Sequence, residues 1–172
     1  MATLITIAEF RAIKDLSNHV KETKINSIIE DTEFSDIRPL LGESFFADIK
    51  AHPENYTALL TGGAYAINDK SYLHVGLKRV IIELANVRYT FESSETSTPF
   101  GIVDKTYADA VHVSRDRAKE LSTLRKKTAN DYWLNVKLYI ENNLTMYPLY
   151  YICNDEKLNT FKITNITRAQ WH

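Results

Sequence analysis

One stretch constrains the shape of this chain more than any other. From Ser114 to Asn142 no proline or glycine interrupts a helical pattern, and Ala118, Leu121, Leu124, Ala129, Trp133, Val136 and Ile140 mark the side predicted to be buried. At 1.5 Å per residue such a helix spans ~43 Å. The chain has 172 residues, and a compact domain of that size is only about 40 Å across. A rod of this length either crosses the whole body or projects from it. That suits a protein that builds something larger than itself.

The segments before it also read as helices. Thr6 and Glu9 form a capping box, followed by Ile7, Phe10 and Ile13 at helical spacing as far as Leu16. A second helix follows Ser17-Asn18, with Ile25, Ile28, Ile29 and Ile37 on one stripe, and Pro39 and Gly42 are expected to end it. Shorter helical pieces fall around 44–50 and 53–60, with Pro53 starting the second and Gly62-Gly63 stopping it. A core helix is predicted from about Ser71 to Glu92, carrying Leu73, Leu77, Val80, Ile81, Leu84 and Arg88.

Residues 93–105 break the pattern with a polar, turn-rich loop whose apolar points are Phe100, Ile102 and Val103. After Asn143 the sequence turns aromatic and β-prone, first over 145–152 and then over 160–164, where polar and apolar residues alternate. The expected fold is therefore mainly α. It is a bundle of four to five helices over residues 1–143 with one very long helix and a hairpin-like loop, and residues 144–172 form a partly extended tail. Two weak strands are marginal alone, so the tail is expected to pack on its own domain or to add to another chain.

Composition narrows the function by exclusion. Lys plus Arg number 21 and Asp plus Glu 22, for a net charge of −1, which argues against binding nucleic acid through bulk positive charge. Charge is nevertheless uneven. Residues 1–70 carry 7 basic and 11 acidic side chains, and 71–172 carry 14 and 11. In the long helix Arg115, Arg117, Lys119, Arg125, Lys126 and Lys127 face only Asp116 and Glu120. Such a basic patch fits DNA phosphates or the acidic face of a neighbouring copy, and opposite charge on two sides of one chain favours head-to-tail association. The single cysteine, Cys153, allows no intrachain disulfide. With no secretory signal pattern and no membrane-length apolar run, cytosolic synthesis and no membrane partner are expected.

Chemistry-bearing motifs are sparse. Five histidines are widely spread, and Asp109 with His112 is one spaced pair where a metal site needs three or four convergent ligands. Gly62-Gly63 lacks the ending of a phosphate loop, and there is no nucleophile elbow or dinucleotide fingerprint. Neither enzymatic activity nor a cofactor is expected. A small enzyme would instead need Asp104, Asp109 and His112 to converge in a pocket.

The order of elements resembles a known family. An acidic amphipathic helix is followed by Leu40-Leu41-Gly42, an aromatic helix at Phe45-Phe46, and a core helix typified by Leu77-Lys78-Arg79-Val80-Ile81-Ile82-Glu83-Leu84-Ala85. Thr98-Pro99-Phe100-Gly101-Ile102-Val103 then leads into the long basic helix. Over residues 5–143 this resembles the head–tail connector (adaptor) proteins of tailed bacteriophages, most of all those of crAss-like phages. The resemblance implies a structural virion protein, made in the bacterial cytoplasm and assembled as a ring of twelve copies beneath the portal protein. Such a ring extends the channel through which DNA passes and offers an attachment surface to further neck or tail proteins. It also implies that Thr98, Pro99, Phe100, Gly101 and Ile102, with Phe161, Ile163, Ile166 and Trp171 of the tail, contact other copies or the portal. The alternative is a DNA-binding helical protein using Arg115, Arg117, Arg125, Lys126 and Lys127 on phosphates.

Overall fold

A computed structural model of the chain describes residues 2–14, 16, 20–92, 95–98, 101–104 and 115–150. The fold is mainly helical. Helix α1 (Ile7–Ile13) opens on the expected capping box: Glu9 N–H donates to Thr6 Oγ1 at 3.1 Å, and Thr6 N–H donates to Glu9 Oε2 at 2.7 Å. Phe10 anchors it in the core.

Helix α2 (Glu22–Thr32) does not stop at Pro39. It widens into a π turn over Glu33–Ile37 and continues as α3 (Arg38–Leu41). Arg38 N–H reaches five residues back to the Glu33 carbonyl. Proline has no N–H and its ring crowds the carbonyl four residues earlier, so widening the turn just before it lets the helical path pass. Gly42, at φ 88°, ends it. Helix α4 (Glu43–Ala51), a 3₁₀ turn at Pro53–Tyr56 and α5 (Thr57–Thr61) follow, and Gly62 caps the last at φ 80°.

The core helix begins later than its apolar spacing predicts. Residues 63–74 form an antiparallel hairpin of β1 (Gly63–Ile67) and β2 (Lys70–His74), and α6 runs over Leu77–Glu92. Asn68 and Asp69 form the two-residue loop with φ 47° and 63°. Both angles are positive, as a mirror-type hairpin turn requires, and Asn and Asp tolerate them. Leu73, read as part of the buried stripe of a helix, is instead 72% exposed on β2.

The hairpin-like loop is a second antiparallel pair, β3 (Glu95–Thr98) with β4 (Gly101–Asp104), in a sheet separate from β1–β2. Helix α7 (Arg115–Asn142) is the predicted rod, about 42 Å long. It runs antiparallel to α6: the Arg79 guanidinium lies over the Tyr132 ring, while Arg125 meets Thr90 at the far end of α6. Residues 115–121 therefore overshoot the end of α6 by about 10 Å.

The buried face of α7 is Ser122, Ala129, Val136, Tyr139 and Ile140. Leu124 was expected on this face but is 62% exposed. At 100° per residue it stands about 140° round the helix from Ala129. Nor does 145–150 form a strand: Tyr147 N–H donates to the Asn143 and Leu144 carbonyls, and Tyr150 N–H to Tyr147. Tyr147 and Tyr150 turn back against Phe45 and complete the core formed by Ile25, Ile29, Ile37, Leu41, Ile49, Leu59, Leu77 and Ile81. No helix among the described residues is long and apolar enough to cross a membrane.

Candidate interaction surface

Polar contacts inside the body commit several charged side chains to one another. Glu33, on the π turn, has no exposed surface. Its carboxylate accepts from Lys50 Nζ and from Leu4 N–H, both at 2.6 Å, and Lys50 also donates to the Ala2 carbonyl. The N-terminal segment is thereby strapped across α2 and α4. On α6, Glu83 takes Lys14 at 2.5 Å and Arg79 at 3.3 Å, and Arg88 pairs with Asp36 at 2.8 Å. Lys14–Glu83 and Arg88–Asp36 tie α6 to the N-terminal elements, while Arg79–Glu83 lies within α6. A cleft beside the strap, lined by Ala2, Phe34, Phe46, Ala47 and Lys50, has its one cation committed to Glu33.

Around β2 the packing is aromatic. His74 stacks on Tyr139 with ring centroids 3.8 Å apart and planes 7° from parallel, and Tyr139 and Tyr147 share a hydroxyl hydrogen bond of 3.0 Å. Burial pushes the Tyr147 hydroxyl well above the ordinary phenol value, and its bond to Tyr139 adds to the shift. Burial likewise holds the His74 imidazole below its usual 6.5, and its Nδ1 has no partner among the described residues. Because the folded state resists a proton that the unfolded chain accepts, this group's contribution is complete above 6.5 and is lost as pH falls through the lower folded value. Urea midpoints should therefore fall between pH 7 and 5.5, and His74→Phe, which keeps the stacked ring, should flatten that slope. An unchanged slope in the variant would assign the acid sensitivity to other groups.

The sequence-predicted contact residues are only partly brought together. Thr98 and Gly101 face each other across the end of the β3–β4 register, and Ile102 pairs with Ser97. Pro99 and Phe100 lie outside the described residues, as do Phe161, Ile163, Ile166 and Trp171 and the pair Asp109–His112. Arg115 is the first residue of α7. Arg117 is exposed and pairs with Glu120 at 3.1 Å, and Lys126 and Lys127 are exposed. Arg125 is not part of an outward basic face. It is half-buried against α6, donating to Asn86 Oδ1 at 3.4 Å and to Thr90 Oγ1. Its position places it on the side of α7 that carries Ser122 and Ala129. No three His, Cys, Asp or Glu side chains gather as a metal site among the described residues.

The composition pattern did not reveal an apolar surface on the other side of α7. Leu134 is 60% and Leu138 46% exposed, one turn apart. Beside them Asn135 reaches the hairpin: its Nδ2 donates to the Leu73 carbonyl and its Oδ1 accepts from Val75 N–H, each at 3.0 Å. Leu73, Val75, Leu134 and Leu138 thus gather on one side of the molecule, with Tyr72 also exposed on β2. The available signal was the four-residue spacing of Leu134 and Leu138, which the single buried stripe leaves unexplained.

The described body is a helical bundle with a projecting rod and two small hairpins. Residues 37–160 match the family of unknown function DUF6712, well over half of the 172-residue chain, and the chain belongs to that family. No curated protein and no solved structure matches it.

Proposed function

We propose that this protein is a structural subunit of a phage head–tail connector: a ring of copies that docks on the portal protein, extends the DNA channel and receives tail components. The observation that carries this reading is the overshooting end of α7 together with the exposed leucines Leu124, Leu134 and Leu138. Leu134 and Leu138 adjoin the exposed Leu73 and Val75, and clustered apolar exposure of this kind marks an interaction surface. The β3–β4 hairpin adds to it, since a two-stranded sheet is marginal by itself. Purified protein viewed by electron microscopy, alone and mixed with a portal complex, is expected to form rings with an axial channel. Isolated monomers in both preparations would remove the reading.

The DNA-binding alternative has less support. Of its five cations, Arg125 is committed to Asn86 and Thr90, and Arg117 is shared with Glu120. Lys126 and Lys127 remain exposed without an ion-pair partner among the described residues. A protein held by several phosphates loses affinity steeply with salt, log K falling by about 0.9 per contact per log unit. This chain should show weak affinity with a shallow slope.

A further inference from the structure

The two edges of the β1–β2 hairpin are treated differently. In a hairpin closed by a two-residue loop, the pair flanking the loop is hydrogen-bonded and the bonding alternates from there. With Ile67 opposite Lys70, the bonded pairs are Ile67–Lys70, Tyr65–Tyr72 and Gly63–His74. The backbone groups of Leu73, Ala64 and Ala66 then point away from the hairpin. On the β2 side the outward Leu73 carbonyl and the following Val75 N–H are both taken by the amide of Asn135. On the β1 side Ala64 and Ala66 are exposed, and their outward N–H and C=O groups meet no partner among the described residues. One edge is closed by a dedicated side chain. The other is uncharged, without the proline or lysine that usually protects an open strand.

The complementary strand lies in the same sequence. The β3–β4 hairpin has only two strands, in a register that places Glu95 opposite Asp104, and a pair of strands alone is marginal. By the same alternation, counted from Thr98 opposite Gly101, the outward-facing residues of β4 are Ile102 and Asp104. These lie two apart, matching Ala66 and Ala64. Within one copy the two hairpins form separate sheets.

We propose that the open edge of β1 receives β4 of a second copy, antiparallel, with Ala66 opposite Ile102 and Ala64 opposite Asp104, so that two hairpins from adjacent copies make one four-stranded sheet. This rests on the ring reading and specifies its subunit contact. The outward groups of the two strands exchange four backbone hydrogen bonds, which is β-augmentation between like chains. The contact is head-to-tail: each copy gives a hairpin on one side and receives one on the other.

The test uses the full-length chain with its only cysteine replaced, Cys153→Ser. Single variants Ala66→Cys and Ile102→Cys are purified separately, mixed and oxidised. The expected result is a disulfide between the two different variants, since facing residues in such a pair stand within disulfide range, with little in either variant alone. Ala66→Pro removes an N–H that the hairpin does not use, and Ala64→Lys puts a charge on the edge. Both should melt like the parent and self-associate at least tenfold more weakly. Rings of unchanged stability in both edge variants would overturn this contact while leaving the connector reading standing. Cross-linking of Ala66→Cys with itself would assign the edge to a β1–β1 pair and also overturn it. No oligomer and no cross-link at any concentration would end both.

Discussion

Gly76→Ala is expected to destabilise the protein by about 3 kcal/mol or more, adding a left-handed backbone penalty of roughly 1–2 kcal/mol to steric overlap of ~1–3 kcal/mol. Gly76 sits at φ +80°, and a Cβ there would lie 2.5 Å from Gly62 N and from the Thr61 carbonyl carbon, and 2.6 Å from the Leu60 oxygen. Gly62, also at φ +80°, meets Gly76 N, the His74 oxygen and the Val75 carbonyl carbon at 2.6 Å. The chain enters and leaves the β1–β2 hairpin through this crossing, with backbone against backbone and no flexible side chain to yield. Gly62→Ala should therefore behave the same way. Gly63→Ala is the control: nothing lies within 4 Å of its Cβ position, so only its φ of +156° opposes the change. Denaturant titration of the three variants checks the order, and equal losses at Gly63 and Gly76 would show that the crossing is not the cause.

Glu33→Ala should cost roughly 3–5 kcal/mol, the usual loss when one member of a buried ion pair is removed and the other is left without a counter-charge. Lys50 is 8% exposed and Glu33 wholly buried, so the stranded ammonium cannot reach water without moving α4. The change also deprives Leu4 N–H of its acceptor. Glu33→Gln keeps an acceptor for Leu4 but not the charge, and should fall between wild type and alanine. Joining Glu33→Met to Lys50→Met should be milder than either single change, because no unpaired charge remains. The local readout is amide exchange at Leu4 and Ile5. Both should open early in Glu33→Ala, and protection equal to wild type would mean that the N-terminal strap is held by Ile5 and Phe10 packing alone.

Much of the fold could be read from local signals. The rod was visible because nothing breaks its pattern, and the capping box at Thr6 because both partners lie within four residues. The β1–β2 hairpin was not, because Leu73, Leu77, Val80 and Ile81 imitate one helical stripe across what is really a strand, a glycine crossing and a helix start. The overlooked cue was Asn68-Asp69 between Ala-Tyr-Ala-Ile and Lys-Ser-Tyr-Leu, a two-residue loop whose residue types accept positive φ. Pro39 misled in the other direction. A proline normally ends a helix, and no sequence rule foresees that a π turn would carry the chain past it. The surface was the least legible part. Whether Arg125 turns inward or outward depends on where Asn86 and Thr90 of α6 meet α7, a tertiary fact that one helix's sequence does not contain.

The core draws on both ends of the described chain: Leu4 and Ile5 lie in the same cluster as Tyr147 and Tyr150. A growing polypeptide therefore cannot seal its interior while the ribosome is still making α7. Until Tyr150 has emerged, Phe45 and Tyr56 lack their closing aromatic partners and stay open to solvent. Closure of this core is thus held back until Tyr147 and Tyr150 have emerged, and a chain cut before Tyr147 would be prone to aggregation and degradation rather than forming a smaller working subunit.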